Sequence, residues 1–358
     1  MPKPVGRARG VPASALSQTE PSCSNRGMHS NRLTDCDGHA LVSQINMAPP
    51  EPGYSLRTPF NGWARERPTN PDAHLIQAVH TAVEAIGGFS KIIRPGDRIT
   101  IKPNFNSGDP PPNSTDIPFL IALIRLLRDY GAGHITVGES TRHPPTNSRY
   151  EMQRTGVFDA CRREGAAVAV FGDEHWTPVR TRGRRFGWVE VARPMLECDR
   201  LIFACCLKTH WLTKFSISLK LIVGAIRPRH RARLHFGGQI EARVAELASV
   251  VQPDLVLVDG RSVFVRGGPC YGIVRRPNVI LASGDRIATD TAAIDVLRRY
   301  PECSLTDDPW TYRQIREAIR LGLGISGPNQ RRMVIRDLQL STGDDQAAFC
   351  RDAGSRPA

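Results

Sequence analysis

The sequence predicts an α/β fold: a mostly parallel sheet with helices on both faces. Three observations carry this expectation. Short apolar runs alternate with amphipathic runs of helical period in a β-α-β-α-β order between residues 72 and 171, which calls for parallel strands joined by covering helices. Hydrophobic residues make up 40% of the 358, ample for a core. Aromatic residues are only 6%, so Val, Ile, Leu and Ala must fill it.

Residues 1–65 are rich in Pro, Ser, Asn and Gly and lack periodicity, so they read as a disordered leader. Met28 or Met47 is as plausible a start as Met1. "DAHLIQAVHTAVEAI" (72–86) has the apolar spacing of a helix capped by Asp72, and "DRITIKP" (97–103) is extended. "DIPFLIALIRLLRDYGAG" (116–133) predicts a helix with Asp116 as N-cap, Pro118 in its first turn and Gly131 or Gly133 closing it. "HITVGES" (134–140) is a strand, "GVFDACRREGA" (156–166) a helix and "AVAVF" (167–171) a strand. The pattern then changes to a hairpin around Gly183, so a boundary between two lobes is expected near 172–198. Strands recur at 199–208, 254–260 and 278–284. Helices are expected over 238–251, 285–300 and 309–324. One α/β domain spans 66–340 on this reading, and 341–358 form a flexible tail. "GLGISG" (322–327) follows a helix instead of a strand, so it marks helix termination and not a dinucleotide fingerprint.

The net charge is +13 and the pI about 9.7. This balance favours anionic partners, although an arginine-preferring genome produces the same number. Nine cysteines form no C-x-x-C pair and match no zinc or iron–sulfur spacing, which points to reduced thiols and a cytoplasmic location. No run of about 18 apolar residues is present to span a membrane, and the basic N-terminus lacks the apolar segment of a secretory signal.

The strand ends point to function. Five predicted strands finish in Lys102-Pro103-Asn104, Glu139-Ser140, Lys208-Thr209-His210, Asp259-Gly260 and Ser283-Gly284-Asp285. Ligands of open parallel sheets bind beyond the carboxyl ends of the strands. Two of these lysines emerge from apolar strands, and lysine is rarely buried unpaired. Lys208 and His210 alternate along one strand and so share a face, and Lys220 follows a second extended stretch that returns toward them.

The segments "IKPNFNSGDPPPNSTDIPFLIALIRLLRDYGAGHITVGES", "DRLIFACCLKTHWLTKFSISLKLIVGAI", "RARLH", "QPDLVLVDG", "GGPCYG" and "LASGDRIATD" occur in the order in which the Domain-of-Unknown-Function 362 family carries them. Over roughly residues 75–335 the chain resembles that family. The resemblance implies that Lys102, Asn104, Glu139, Lys208, His210, Lys220, His235, Asp259, Gly268, Pro269, Asp285 and Asp290 lie at or near a shared site. Many relatives carry a ferredoxin-like segment with two four-cysteine clusters. This chain has none, so no iron–sulfur role is implied. Two departures stand out. Leu221 replaces the family's usual Asn, and Arg266-Gly267 replaces an acidic residue and glycine. A guanidinium in place of a carboxylate converts a cation-binding spot into an anion-binding one, so no metal site is expected.

The catalytic candidates are Lys208, His210, Glu139 and Asp259. The candidates for holding a cofactor or ligand are Lys102, Asn104, Ser140, Lys220, His235, Gly267, Gly268 and Asp285. A lysine in an apolar setting serves as a base, as a carbonyl-attacking amine or as an anion anchor. The presence of Lys102 favours the anchor. Glu139, Asp259 and Asp285 with His210 offer acid/base groups, although Asp259 also fits a turn and Asp285 a helix N-cap. Successive glycines at 267–268 allow backbone N–H groups to approach an anion. The Arg227–Arg233 run opposes a metal at His230 and suits an oxyanion, or is a solvated loop.

The expectation is a protein that binds an anionic small molecule or cofactor bearing phosphate or carboxylate, and an enzyme of redox or cofactor-linked metabolism. The cofactor's identity is not written in the sequence. Two alternatives stand beside it. One is a non-enzymatic ligand-binding or nucleic-acid-associated regulatory protein, less favoured because the basic run is short and lacks interleaved aromatics. The other is a racemase- or isomerase-like enzyme. The Lys/His set is similar, in residue types alone, to that of lactate racemase, where lysine and histidines hold a nickel-bearing pyridinium cofactor.

Overall fold

A computed structural model of the protein describes residues 33–56, 69–141, 147–173, 175–235 and 237–338. The first elements are β1 (Ala40–Asn46), β2 (Glu51–Leu56), α1 (Ala73–Glu84), α2 (Phe89–Ile92), β3 (Arg98–Pro103), α3 (Ile117–Asp129), β4 (His134–Glu139), α4 (Ser148–Thr155), α5 (Val157–Arg163) and β5 (Ala167–Val170). A hairpin of β6 (Trp176–Arg180) and β7 (Trp188–Ala192) follows. Then come β8 (Arg200–His210), β9 (Lys214–Ser216), α6 (Ser218–Leu221), α7 (Pro228–Ala232) and α8 (Ile240–Ala248). The chain continues through β10 (Leu255–Gly267), β11 (Gly272–Arg276), β12 (Val279–Ser283), α9 (Arg286–Arg298), α10 (Arg313–Arg320) and β13 (Arg331–Asp337).

Local chemistry explains the boundaries. The Asp72 side chain accepts from Leu75 N at the start of α1, whose buried Leu75, Ala78, Val79, Ala82 and Val83 recur at helical spacing. Asp116 occupies the N-cap position of α3 but makes no capping bond; its carboxylate pairs with Arg261 at 2.7 Å. Gly131 adopts φ +85° just beyond α3, a conformation glycine takes without strain. β8 is buried almost throughout, as a strand covered on both faces must be.

The main sheet runs β13-β1-β12-β10-β8-β3-β4-β5. β10, β8, β3, β4 and β5 are mutually parallel, β12 is antiparallel to both β10 and β1, and β13 is parallel to β1. One face packs Ile202, Ala204, Leu255 and Leu257 beneath α1, α3 and α5. The other packs Phe203, Cys205, Leu207, Val256 and Val258 beneath α8, α9 and α10. The hairpin expected around Gly183 forms a separate two-stranded sheet and shares the second core through Val189 and Val191.

Two expectations need correction. The patternless leader is not patternless throughout: residues 40–46 form β1, which lies between β12 and β13 with Val42 and Ile45 fully buried. Residues 51–56 form β2 against β11. Polar neighbours mask a short strand whose partners lie more than 200 residues away. Residues 1–32, 57–65 and the tail from 341 lie outside the described residues. The second correction concerns Ser283-Gly284-Asp285. Because β12 runs against its neighbours, Ser283 aligns with Val256 near the start of β10, so this strand ends at the opposite edge from the others.

Candidate functional site

The chain leaves β3 toward β4 and β5, then returns to place β8 on the other side of β3 and continues to β10. The β3/β8 junction is therefore a topological switch point, where open sheets part their loops and form a crevice. A cavity of about 680 Å³ lies there. It is lined by Asn104, Glu139, Ser140, Lys208, His210, Lys220 and His235 among the predicted residues.

Glu139 lines the cavity, while Lys102 is not a lining residue and lies buried against the Glu139 carboxylate. Lys102 is 0% exposed, and its Nζ lies 2.6 Å from Glu139 Oε2 and donates to Pro103 O at 2.7 Å. Glu139 also accepts from Phe105 N and Ser140 N. Burial lowers the Lys102 pKa, and the adjacent carboxylate opposes the fall. Gly224 closes over the pair: a Cβ there would stand 2.0 Å from Glu139 Oε1 and 3.0 Å from Lys102 Nζ.

Lys208 is 1% exposed and donates to the carbonyl of Asn113, which lies in the loop folded over the strand ends. Burial lowers its pKa. His210 Nδ1 accepts from Leu212 N and Thr213 N. Two donors aimed at one ring nitrogen require its lone pair, so the ring is neutral and carries its proton on Nε2. Desolvation first, and the nearby lysines second, hold its pKa well below the usual histidine range. Lys220, on α6, has no ion-pair or hydrogen-bond partner among the described residues. Desolvation and the charge of Lys208 bring its pKa from 10.5 to about 7. α6 is held by Asp290, whose carboxylate accepts from Ser218 N, Ser218 Oγ and Leu219 N.

Two residues missed in the sequence, Trp211 and Tyr271, and one not singled out within the Arg227–Arg233 run, Arg231, also line the cavity. Arg231 lines the cavity, donates to Ser140 Oγ at 2.9 Å and Thr141 O at 3.0 Å, and keeps a buried Nε without a partner. It stands out from the rest of its basic run, where Arg227, Arg229 and His230 converge on Glu190. Trp211 and Tyr271 flank the cavity. Their only sequence signal is adjacency to the Lys-Thr-His and Gly-Gly-Pro motifs.

Other candidates lie elsewhere. Asp259 pairs with Arg261, which also holds Asp116, and takes no part in lining the cavity. Asp285 sits at the opposite sheet edge, accepting from Ala288 N and Ile325 N as a helix cap. Asp290 is buried and anchors α6 instead of facing a ligand. Gly267 and Gly268 shape the β10–β11 turn with φ of +86° and +65°. The Gly268 N–H is taken by Tyr271 O, so the turn presents Pro269, Cys270 and Tyr271 to the cavity, not its glycine amides. Arg266 is exposed and donates to Glu302 O, away from the cavity.

The fold and site define an open α/β protein with a cation-rich pocket at a switch point. The model of the family described as "Domain of unknown function (DUF362)" matches residues 99–295, and the chain belongs to that family. It is 24% identical over 255 residues to a thylakoid-associated protein of Synechocystis sp., covering 70% of this chain and 75% of that protein. A crystal structure of a Thermotoga maritima protein aligns at 15% identity with a TM-score of 0.36, covering 59% of this chain and 55% of that one. The lactate racemase apoprotein of Thermoanaerobacterium thermosaccharolyticum aligns at 12% identity with a TM-score of 0.30, covering 60% and 56%. The chain thus spans little more than half the length of either structure. Among the described residues no helix is long and apolar enough to cross a membrane.

Proposed function

We propose that the protein is an enzyme that binds a small phosphate- or carboxylate-bearing molecule in the cavity beyond β3, β4 and β8. The observation that carries this reading is the Lys220 amine, which lines the cavity and has no partner among the described residues. Lys208 and Arg231 line the same cavity, and Glu139, the one carboxylate lining it among the described residues, is already engaged by Lys102. An oxyanion supplies the charge and the acceptors that this set lacks. Near pH 7 Lys220 is partly neutral. It is thus suited to take a proton from a bound substrate or to attack a carbonyl, while the Nε2–H of His210 donates to the developing charge. On the family resemblance, the reaction belongs to redox or cofactor-linked metabolism.

Calorimetric titration with inorganic phosphate tests the reading. Binding is expected with proton uptake near pH 7.5, seen as a dependence of the heat on the buffer's ionisation enthalpy, and Lys220→Met abolishes that uptake. Binding with unchanged proton uptake in Lys220→Met, or no binding of phosphate or of acetate by the parent, overturns it.

A further inference from the structure

The cations line a cavity that also has an apolar stretch of wall, formed by Leu221, Val223, Leu234, Ile240 and Val244. Two aromatic residues lie at its opening. Trp211 is 71% exposed and Tyr271 51% exposed, yet both line the cavity. They belong to separate loops that are tied together, since Trp211 N donates to Gly268 O across the gap. The indole of Trp211 lies nearly parallel to the His210 ring, 12° between planes and 6.5 Å between centroids.

A tryptophan is usually among the more buried side chains of a protein. Leaving one this exposed at the opening of a polar site costs hydrophobic free energy unless something covers it. The open donors within call for a phosphate, and the aromatic faces at the opening call for a flat ring. A volume of about 680 Å³ lies within the range of small-molecule sites. Building on the anion-binding reading, we infer that the ligand is of the mononucleotide class: its phosphate lies among Lys208, Lys220 and Arg231, and its heteroaromatic ring stacks on Trp211 and Tyr271.

Titrations of the intact protein with four probes separate the parts: adenosine 5′-monophosphate and flavin mononucleotide carry both groups, ribose 5-phosphate lacks the ring, and adenosine lacks the phosphate. The ring-bearing phosphates are expected to bind at least tenfold more tightly than ribose 5-phosphate. Trp211→Ala weakens them about tenfold, in line with stacking on one aromatic face, and leaves ribose 5-phosphate within twofold. The exposed position of Trp211 spares the fold in this variant. If ribose 5-phosphate binds as tightly as both nucleotides, or if Trp211→Ala weakens it equally, the ring site is overturned and the anion site stands. If no phosphate binds, the anion site falls with it.

Discussion

Replacing Lys220 by methionine should make the protein more stable below neutral pH while removing its affinity for anions. The amine is desolvated, faces the charge of Lys208, and titrates near 7 in place of 10.5. A group whose folded pKa is depressed binds fewer protons in the folded state, so stability rises with pH between the two values. The penalty is therefore fully present below pH 7, shrinks from 7 toward 10.5 and is absent above. At about 1.36 kcal/mol per pH unit, the whole fall corresponds to at most ~5 kcal/mol. Lys220 is only half-buried, and screening by solvent reduces the expected gain to ~1–2 kcal/mol at pH 6. Thermal melts of the parent and Lys220→Met in phosphate-free buffers from pH 6 to 10.5 measure it. The variant should melt several degrees higher at pH 6 and converge with the parent at high pH. Added phosphate should stabilise the parent alone. A variant less stable than the parent at pH 6, with the same pH slope, would refute the argument, because it would mean that Lys220 already has a counter-charge.

Glu139→Gln leaves Lys102 buried with one carbonyl partner and is expected to cost ~3–5 kcal/mol in urea unfolding. The Lys102→Met/Glu139→Gln double variant should recover most of that loss, and additive single effects would show that the pair is uncoupled. Gly224→Ala drives a methyl into the carboxylate of Glu139; it should destabilise by ~1–3 kcal/mol and weaken phosphate binding, both read in one set of denaturation and titration curves. Asp290→Ala removes three acceptor bonds that hold α6. Phosphate affinity should fall together with stability, and a stability loss at unchanged affinity would show that α6 keeps Lys220 in place without it. Deletion of residues 1–46 removes β1 from between β12 and β13 and should abolish cooperative unfolding measured by circular dichroism.

The elements between 72 and 171 were legible because each carries its own signal: Asp72 before a periodic apolar run, or Gly131 after one. The parallel core and the lysines at its edge followed from the same local patterns. β1 and β13 were not legible. β1 depends on β12 and β13, more than 200 residues distant, for its partners, and β13 leaves much of its surface exposed. Arg231 was hidden in a run of similar residues, and only the convergence of Arg227, Arg229 and His230 on Glu190 distinguishes it.

The misplaced aspartates show how strand direction decides chemistry. Asp285 ends an apolar strand in the same way Lys208 does, and the two are equivalent in local sequence terms. They lie at opposite sheet edges because β12 runs against its neighbours, and that direction is set by the tight β10–β11 turn, which reverses the chain before β11 and β12, not by the strand itself. With Asp285 at the far edge and Asp259 held by Arg261, Glu139 is the one carboxylate lining the cavity among the described residues, and it is shared with Lys102. Lys208 is left with a carbonyl, Arg231 with an orphan Nε, and Lys220 without a partner among the described residues. Uncompensated cations repel one another across a low-dielectric pocket, and a fold tolerates that cost where a ligand removes it. The reversal of β12 thus keeps a second acidic group away from the lysines and leaves the excess positive charge on which the proposed anion binding rests.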